Sequence, residues 1–275
     1  MLQRRHVVQA LALALSSAAL PSPAQIRTPD DADAGARWKA VRAGLFGERP
    51  IASNAADVLE LEAPARAEDA AIVPVAIRTR VPPGAGPIRT LHLVIDNNPS
   101  PVAAVFTFAP RSGRADIETR VRIDEYTHVR AIAQTSDGKL YMASRWVKAS
   151  GGCSAPPGKD PAAALATLGR MRLRVDGDVA PGRPVQAQLM ISHPNRSGLA
   201  MDQGTRQYTP AHFVRKVDVT YGGEPVLSAD LDFAISENPH LRFWFVPQGQ
   251  GELKATVVDS RDLTFQSSLA LQPLP

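Results

Sequence analysis

The chain has 275 residues, a formal net charge of +4 and one cysteine. Loss of residues 1–24 would remove Arg4 and Arg5 but no acid, and the resulting charge of +2 is too small to indicate binding to nucleic acid or to an anionic membrane. A single cysteine also excludes an internal disulfide.

The first 24 residues have the pattern of a cleaved export signal. The basic pair Arg4-Arg5 precedes an apolar run from Val7 to Leu20, and small residues and prolines continue to Ala24. This run is shorter than the roughly 20 apolar residues that a membrane span needs, and no later stretch approaches that length. We therefore predict export to the periplasm by the Sec or the twin-arginine route, with no membrane span.

Short strands dominate the elements predicted after the signal. A helical pattern covers Asp30 to Phe46, with Trp38 as a core anchor. Between residues 72 and 148, apolar alternation and turn residues predict about seven short antiparallel strands. Pro74 favours a strand start or a sheet edge, and Asp137-Gly138 is the clearest hairpin turn. Strands without interleaved long helices predict an immunoglobulin-like β-sandwich.

A linker and a second strand-rich region complete the chain. Asp160 as N-cap, Pro161 at the first helical position and Gly169 after the end predict a short helix. Strand patterns resume at Met171, and Gly222-Gly223 marks another hairpin. We predict an all-β fold of two immunoglobulin-like sandwiches joined by a Gly/Pro-rich linker, with a short N-terminal helix. The predicted segments are 1–24 (signal peptide), 30–148 (first sandwich with its helix), 149–169 (cysteine-bearing linker and short helix) and 170–275 (second sandwich).

The residues around Cys153 suit a mobile thiol. Gly151 and Gly152 allow unusual backbone angles and would let a partner's narrow cleft close around the cysteine. Pro156-Pro157 stiffens the chain that follows. We therefore predict a thiol that is presented to solvent and not packed in a core, but the sequence leaves open whether the segment lies open or folds back between the sandwiches. Cations could lower the pKa of this thiol, and the candidates are Lys148, Lys159 and Arg145.

No conventional catalytic or cofactor motif accompanies the cysteine. A Gly-x-Ser-x-Gly elbow, a phosphate-binding glycine loop and a His-Glu-x-x-His helix are all missing from the sequence. His92 and His128 fall inside predicted strands, whereas His193 precedes Pro194 in a loop. We predict no catalytic residue, no metal site and no cofactor. The residues alone leave open whether Cys153 is a carrier thiol or an incidental cysteine in a flexible linker.

The first half of the chain resembles SoxY, one subunit of a sulfur-oxidation carrier. The resemblance extends over roughly Trp38 to Cys153 and includes Leu61-Glu62-Ala63-Pro64, Phe106-Thr107-Phe108-Ala109-Pro110 and the final Gly151-Gly152-Cys153. SoxY typically ends at Gly-Gly-Cys-Gly-Gly, a free arm, whereas here Ser154 and a second domain follow. The arm of this chain is therefore tethered at both ends.

The second half resembles SoxZ, the other subunit of that carrier. Its most specific blocks are Ile191-Ser192-His193-Pro194, Tyr221-Gly222-Gly223-Glu224 and Ile235-Ser236-Glu237-Asn238-Pro239. Together the resemblances imply a fused SoxY–SoxZ-like sulfur carrier of the type associated with quinoprotein dehydrogenases. They imply a non-catalytic role in which Cys153 is the covalent attachment site for sulfur compounds and Gly151 and Gly152 give access to it.

The implied partners are periplasmic sulfur-oxidation enzymes or a quinoprotein dehydrogenase system. One alternative is an accessory module that binds such a dehydrogenase and carries no covalent cargo. A thiol enzyme is a further alternative, but the sequence offers no resolving cysteine and no evident base beside Cys153.

Overall fold

The computed structural model of the chain describes residues 35–53, 55–81, 84–156, 161–202 and 204–272. The predicted signal peptide and the predicted helix start at Asp30 lie outside these residues. Within the described ranges, no helix has the length and apolar character that a membrane span requires.

One α-helix, one short 3-10 helix (Pro110–Ser112) and eight strands lie in the described part of the first half, residues 35–156. Helix α1 (Ala36–Phe46) ends at Gly47 and buries Trp38, as predicted. The Trp38 side chain is 2% exposed, and the guanidinium carbon of Arg130 lies 4.2 Å from the centre of its ring. The strands are β1 (Ile51–Ser53), β2 (Leu59–Glu62), β3 (Val73–Thr79), β4 (Ile88–Ile95), β5 (Val102–Phe108), β6 (Ile117–Val121), β7 (Thr127–Thr135) and β8 (Leu140–Val147).

The second half, residues 161–272, contains a short helix and seven strands. Helix α2 (Pro161–Ala166) lies where the sequence predicts a helix. The strands are β9 (Met171–Asp176), β10 (Val185–Ile191), β11 (Val214–Tyr221), β12 (Glu224–Leu231), β13 (His240–Phe245), β14 (Gly251–Asp259) and β15 (Thr264–Leu271).

The strands form two sheets that bury a common core. The nine-stranded sheet has the order β1-β8-β7-β4-β5-β12-β11-β14-β15, and the six-stranded sheet has the order β2-β3-β6-β13-β10-β9. Inward-facing side chains alternate with outward-facing ones; β10, for example, buries every second residue from Val185 to Ile191. The all-β prediction of immunoglobulin-like sandwich halves is confirmed.

Both sheets run across the boundary between the two halves. β5 pairs antiparallel with β12, from Ala104 opposite Leu231 to Phe108 opposite Leu227. In the other sheet β6 pairs with β13 through Glu118 and Arg242. A single cluster of buried apolar residues extends through both halves. We call this shared boundary the seam; the domain limits at residues 148 and 170 stay a prediction.

The glycine turns and Pro74 lie where the sequence predicts them. Gly138 has φ 85° between β7 and β8, and Gly222 and Gly223 have φ 57° and 85° between β11 and β12. Glycine adopts this left-handed region without the penalty that a side chain brings. Pro74 is the second residue of β3, before the stretch that pairs with β2, so its missing N–H interrupts no bond to that strand.

Candidate functional site around Cys153

The residues from Gly151 to Ser154, which we call the docked segment, lie against the chain that follows β6. The Gly151 N–H donates to the Asp124 carbonyl at 2.8 Å, and the Gly152 N–H donates to the Ile123 carbonyl at 2.9 Å. The next pair in this antiparallel order is Cys153 beside Arg122. The backbone therefore fixes the cysteine at a defined position.

Gly152 makes this docking possible because its backbone lies against two carbonyl groups. A Cβ atom at position 152 would lie 2.0 Å from the Ala70 oxygen and 2.7 Å from the Ile123 oxygen. The Ala70 oxygen is also fixed, since it accepts the Ile123 N–H at 2.8 Å. Gly151 differs, because its φ of 78° needs glycine although nothing lies within 4 Å of its missing Cβ.

The prediction that Cys153 is presented to solvent is wrong for this structure. The residue is 1% exposed. A glycine at position 152 permits close backbone contact as readily as it permits motion. The docked segment therefore packs against Ala70 and Ile123 and does not extend into solvent. The Ser197 hydroxyl, from the second half, donates to the Cys153 carbonyl at 2.5 Å and closes the site from the other side of the seam.

The surroundings of the thiol favour its protonated form. Burial, and after it the Asp124 carboxylate, raises the pKa of Cys153 to about 12; Asp232 adds to the rise and Arg122 opposes it. The cation that acts on this pKa is Arg122, and not the predicted Lys148 or Arg145. Lys159 lies outside the described residues. A neutral, buried thiol is a poor nucleophile, so the docked state is chemically protected.

Arg122 connects the two halves beside the cysteine. It is 7% exposed, and its Nη1 donates to the carbonyls of Asn195, Phe233 and Ile235 at 2.5, 3.0 and 2.9 Å. All three carbonyls belong to the second half, so the guanidinium is held by backbone dipoles across the seam. Burial lowers the pKa of Arg122, while Cys153 and Glu237 oppose that change.

The described part of the β10–β11 loop, residues 192–202 and 204–213, supplies Ser197 and contains internal hydrogen bonds. Arg196 and His212 exchange backbone hydrogen bonds at 2.7 and 3.0 Å near the base of the loop. At the tip, the Asp202 carboxylate accepts from Gly204 and Thr205. Ordered long loops in compact domains commonly serve binding or gating.

A buried network of two histidines and one carboxylate fixes the base of this loop. Nε2 of His212 lies 2.7 Å from Oδ2 of Asp259, and Nε2 of His193 lies 3.5 Å from the same oxygen. Sequence reasoning missed this group because its members are far apart in the chain. The contacts give His193 a structural role in this network.

The same three side chains are the only ones in the described ranges whose ligand-type atoms converge as a metal site would need. However, Nδ1 of His193 accepts the Asn195 N–H at 3.0 Å, so the proton of the neutral ring lies on Nε2 and faces Asp259. Burial also lowers the pKa of His193 to about 4, which keeps the ring neutral. The arrangement is that of a hydrogen-bonded network.

Two of the open clefts on the described part of the surface exceed 600 Å³, and Cys153 lines neither. One has a volume of about 720 Å³ and spans both halves over the six-stranded sheet. The other has a volume of about 610 Å³, and its lining includes Arg78, Arg80, Arg89 and Arg114.

Two family models match the chain in succession. The model for sulfur oxidation protein SoxY matches residues 42–153, and its match ends on Cys153. The model for sulphur oxidation protein SoxZ matches residues 172–270. No curated protein matches the chain.

Among solved structures, a beta-glycosidase from Bacteroides vulgatus matches at 9% identity with a TM-score of 0.25. The match covers 78% of this chain but only 24% of the glycosidase, and it carries no argument here.

Proposed function

Since the chain belongs to the SoxY and SoxZ families as a fused SoxY–SoxZ-like sulfur-oxidation protein, we propose that it is a periplasmic carrier that holds sulfur compounds covalently on Cys153. The carrier presents them to sulfur-oxidation enzymes and performs no catalysis of its own. The observation that supports this most directly is the position of Cys153, which is the last residue of the SoxY match and follows two glycines at the seam.

The covalent step needs the thiol and an external electron acceptor. When Cys153 joins thiosulfate, a bond forms between Sγ and the outer sulfur of thiosulfate, and the product is an S–S–SO₃⁻ group. The thiol loses one proton, and the two sulfur atoms together lose two electrons, which a partner redox enzyme takes up. Transfer of the –S–SO₃⁻ group to a nucleophile of the next enzyme would break the Sγ–S bond, and the departing Cys153 thiolate would regain its proton.

Loading requires that the docked segment leaves its position, because a neutral thiol that is 1% exposed can reach no partner. Gly151 provides a hinge, since its backbone has a positive φ and open space around it. Both ends of the arm are tethered, and Cys153 lies four residues from position 149, so its reach from that end is at most about 14 Å. This is enough for Cys153 to enter a shallow pocket on a partner.

The test is an intact-mass measurement of the reduced mature protein after incubation with thiosulfate and periplasmic extract. We expect a thiol-dependent adduct on the wild type and on Ser154→Ala, the neighbouring control, and none on Cys153→Ser. If the wild type gains no adduct, or if Cys153→Ser gains the same adduct, the carrier function is excluded.

The burial of Cys153 favours one second candidate, an accessory module for a periplasmic quinoprotein dehydrogenase. In that function the thiol is a core residue, and its high pKa has no further role. Dehydrogenase binding and activity would then be the same for the wild type and Cys153→Ser. A loss of activity in Cys153→Ser would exclude the accessory module.

A further inference from the structure

The two sheets have four edge strands, which are β1 and β15 in the nine-stranded sheet and β2 and β9 in the six-stranded sheet. The outer side of an edge strand carries N–H and C=O groups with which another strand can pair. Natural proteins limit such pairing by making edge strands short or by placing charged residues on them. The four edges of this molecule differ in these protections.

Three of the four edges are protected. β1 has only three residues. β2 has four, and its two exposed residues are the carboxylates Glu60 and Glu62. In β9 every second residue is charged and exposed, namely Arg172, Arg174 and Asp176. A further strand beside β2 or β9 would therefore lie along a row of charges.

The fourth edge, β15, has none of these protections. It has eight residues and pairs with β14 without a bulge, from Gly251 opposite Leu271 to Val258 opposite Thr264. No residue between positions 263 and 275 is charged, and the strand contains no proline. β9 of the other sheet lies nearby, but among the described residues no backbone hydrogen bond joins β15 to any strand except β14. The outer side of β15 is therefore open to another strand.

The apolar core continues to this open edge. Phe265, Ser267, Leu269 and Leu271 are half-buried, and the residues between them are exposed. The three apolar members of this set pack against the main core cluster. Leu263 precedes the strand on the same side of the alternation and is 43% exposed. The core-facing side of the edge thus carries apolar side chains that are only partly covered.

The sequence of this edge is complementary to itself. In an antiparallel pair of two copies centred on Ser267, residues directly opposite each other point to the same face of the joined sheet. On the core-facing side, apolar side chains then meet apolar ones on both sides of the centre, Leu263 with Leu271 and Phe265 with Leu269. Such cross-strand apolar pairs stabilise a sheet. No charged residue enters the pairing, so no repulsion opposes it.

We propose that β15 is the interface of a homodimer, in which two copies of the chain pair their β15 strands antiparallel about a two-fold axis at Ser267. The nine-stranded sheets of the two copies then form one continuous sheet. A second copy is the partner that fits, because the two-fold axis makes each apolar pair occur twice. Pairing also removes the one unprotected edge of the molecule. The inference does not depend on the carrier function.

Analytical ultracentrifugation of the mature protein tests the proposal. A reductant is present throughout, so that Cys153 cannot join two copies by a disulfide. We expect the measured mass to approach twice that of one chain as the protein concentration rises to about 0.1 mM, and to fall again on dilution. The mass of a single chain at every concentration would overturn the proposal.

A charge at the centre of the pairing should weaken the dimer. Ser267→Lys places two like charges opposite each other at the axis, and we expect the dissociation constant of the dimer to rise at least about tenfold. Ser53→Lys is the matched control, because it adds the same charge at an exposed position of β1, the opposite edge of the same sheet. An equal effect of both variants, or no effect of Ser267→Lys, would assign the dimer to another surface.

A cross-link tests the register without adding a charge. In a Cys153→Ser protein, Ser267→Cys puts two thiols opposite each other, with Cα atoms about 4.5–5.5 Å apart, which is within the range of a disulfide. Diamide, which takes up the two electrons and two protons, should then link the two copies. Thr264→Cys is the control, because its two thiols would lie about 20 Å apart along the paired strands. No link at position 267, or an equal link at position 264, would overturn the proposed pairing.

Discussion

At the scale of single residues, the carbonyl oxygens of Ala70 and Ile123 leave room for a hydrogen atom at position 152 but not for a methyl group. Neither oxygen belongs to a flexible side chain, so neither can move aside easily. Gly152 thus allows the thiol of the next residue, Cys153, to lie buried. The residue that protects Cys153 is its own neighbour.

Replacement of Gly152 by alanine should release the docked segment. We expect the rate of Cys153 modification by 5,5′-dithiobis(2-nitrobenzoate) to rise about tenfold or more, because overpacking costs roughly 1–3 kcal/mol. Gly44→Ala is the control, since nothing lies within 4 Å of its missing Cβ and its backbone does not require glycine. A Gly152→Ala protein that reacts as slowly as the wild type would show that docking does not depend on this contact.

The pKa of Cys153 also predicts how stability depends on pH. The pKa of Cys153 is about 12 in the folded chain and 9.0 for an ordinary cysteine, so above pH 9 the unfolded chain releases a proton that the folded chain retains. The contribution of Cys153 to the free energy of unfolding should therefore be fully present below pH 9 and be lost between pH 9 and 12. The free energy of unfolding should fall over that range by at most about 1.4 kcal/mol per pH unit. Urea unfolding at pH 8 to 10.5 measures this slope.

Because tyrosines and lysines also titrate above pH 9, the quantity to compare is the difference in unfolding free energy between the wild type and Cys153→Ala. That difference should decrease as the pH rises. If it is constant, the thiol does not titrate as a buried group.

The sequence identified Cys153 as the residue of interest, but the prediction that its thiol is exposed was wrong. Glycine has no side chain, and this property is compatible with a mobile arm and with tight backbone contact alike. Only the positions of Ala70 and Ile123, far away in the chain, decide between the two. The cation beside the thiol, Arg122, was missed for the same reason, since it is 31 positions from Cys153.

At the scale of elements, the β10–β11 loop closes the site from the second half. Its base is fixed by the network of His193, His212 and Asp259, and its Ser197 hydroxyl bonds the Cys153 carbonyl. The loop is anchored in the second half, and through Ser197 it holds the docked segment of the first half in place. Release of the thiol requires this hydrogen bond to break, together with those that the Gly151 and Gly152 amides donate.

Ser197→Ala should increase thiol reactivity without disrupting the fold. Loss of a hydrogen bond worth about 0.5–1.5 kcal/mol predicts a modification rate about 2- to 12-fold higher. Ser236→Ala is a matched control, because its hydroxyl also donates to a backbone carbonyl, that of Ala71 at 2.7 Å, outside the docked segment. Both variants should lose similar stability, but only Ser197→Ala should react faster; equal reactivity would assign Ser197 a purely structural role.

Most strands follow from apolar alternation, whereas two short ones do not. β1 has three residues and β2 has four, too few for a pattern to distinguish a strand from an extended loop. β1 also pairs parallel with β8, a contact between residues nearly 90 positions apart. Local sequence contains no information on such a pairing, so these elements depend on the assembled fold.

At the scale of the whole molecule, the two halves share both sheets. The pairing of β5 with β12 and of β6 with β13 means that neither half has all its strand edges satisfied alone. The sequence predicted two sandwiches because alternation reports which face of a strand is buried. The sequence could not predict the seam, because the alternation of apolar and polar residues is the same whichever strand pairs with the edge of β5 or β6.

Cutting the connection between the halves should not separate them. We propose to replace residues 157–160 by the recognition sequence of a site-specific protease and to compare cut and uncut protein. After cleavage, the two pieces should elute together in size-exclusion chromatography at micromolar concentration and unfold in one thermal transition, because they bury one common core. Two separately eluting pieces, each with its own transition, would contradict this expectation.

The seam within a single chain has a consequence for dilution. A carrier made from two separate subunits falls apart when its concentration drops below the dissociation constant of the pair, and its cysteine then loses every contact that the other subunit provides. Here Ser197 and the carbonyls that hold Arg122 belong to the same molecule as Cys153. Protection of the thiol is therefore unimolecular, and it is the same in a cell that makes a few copies of the protein as in one that makes many.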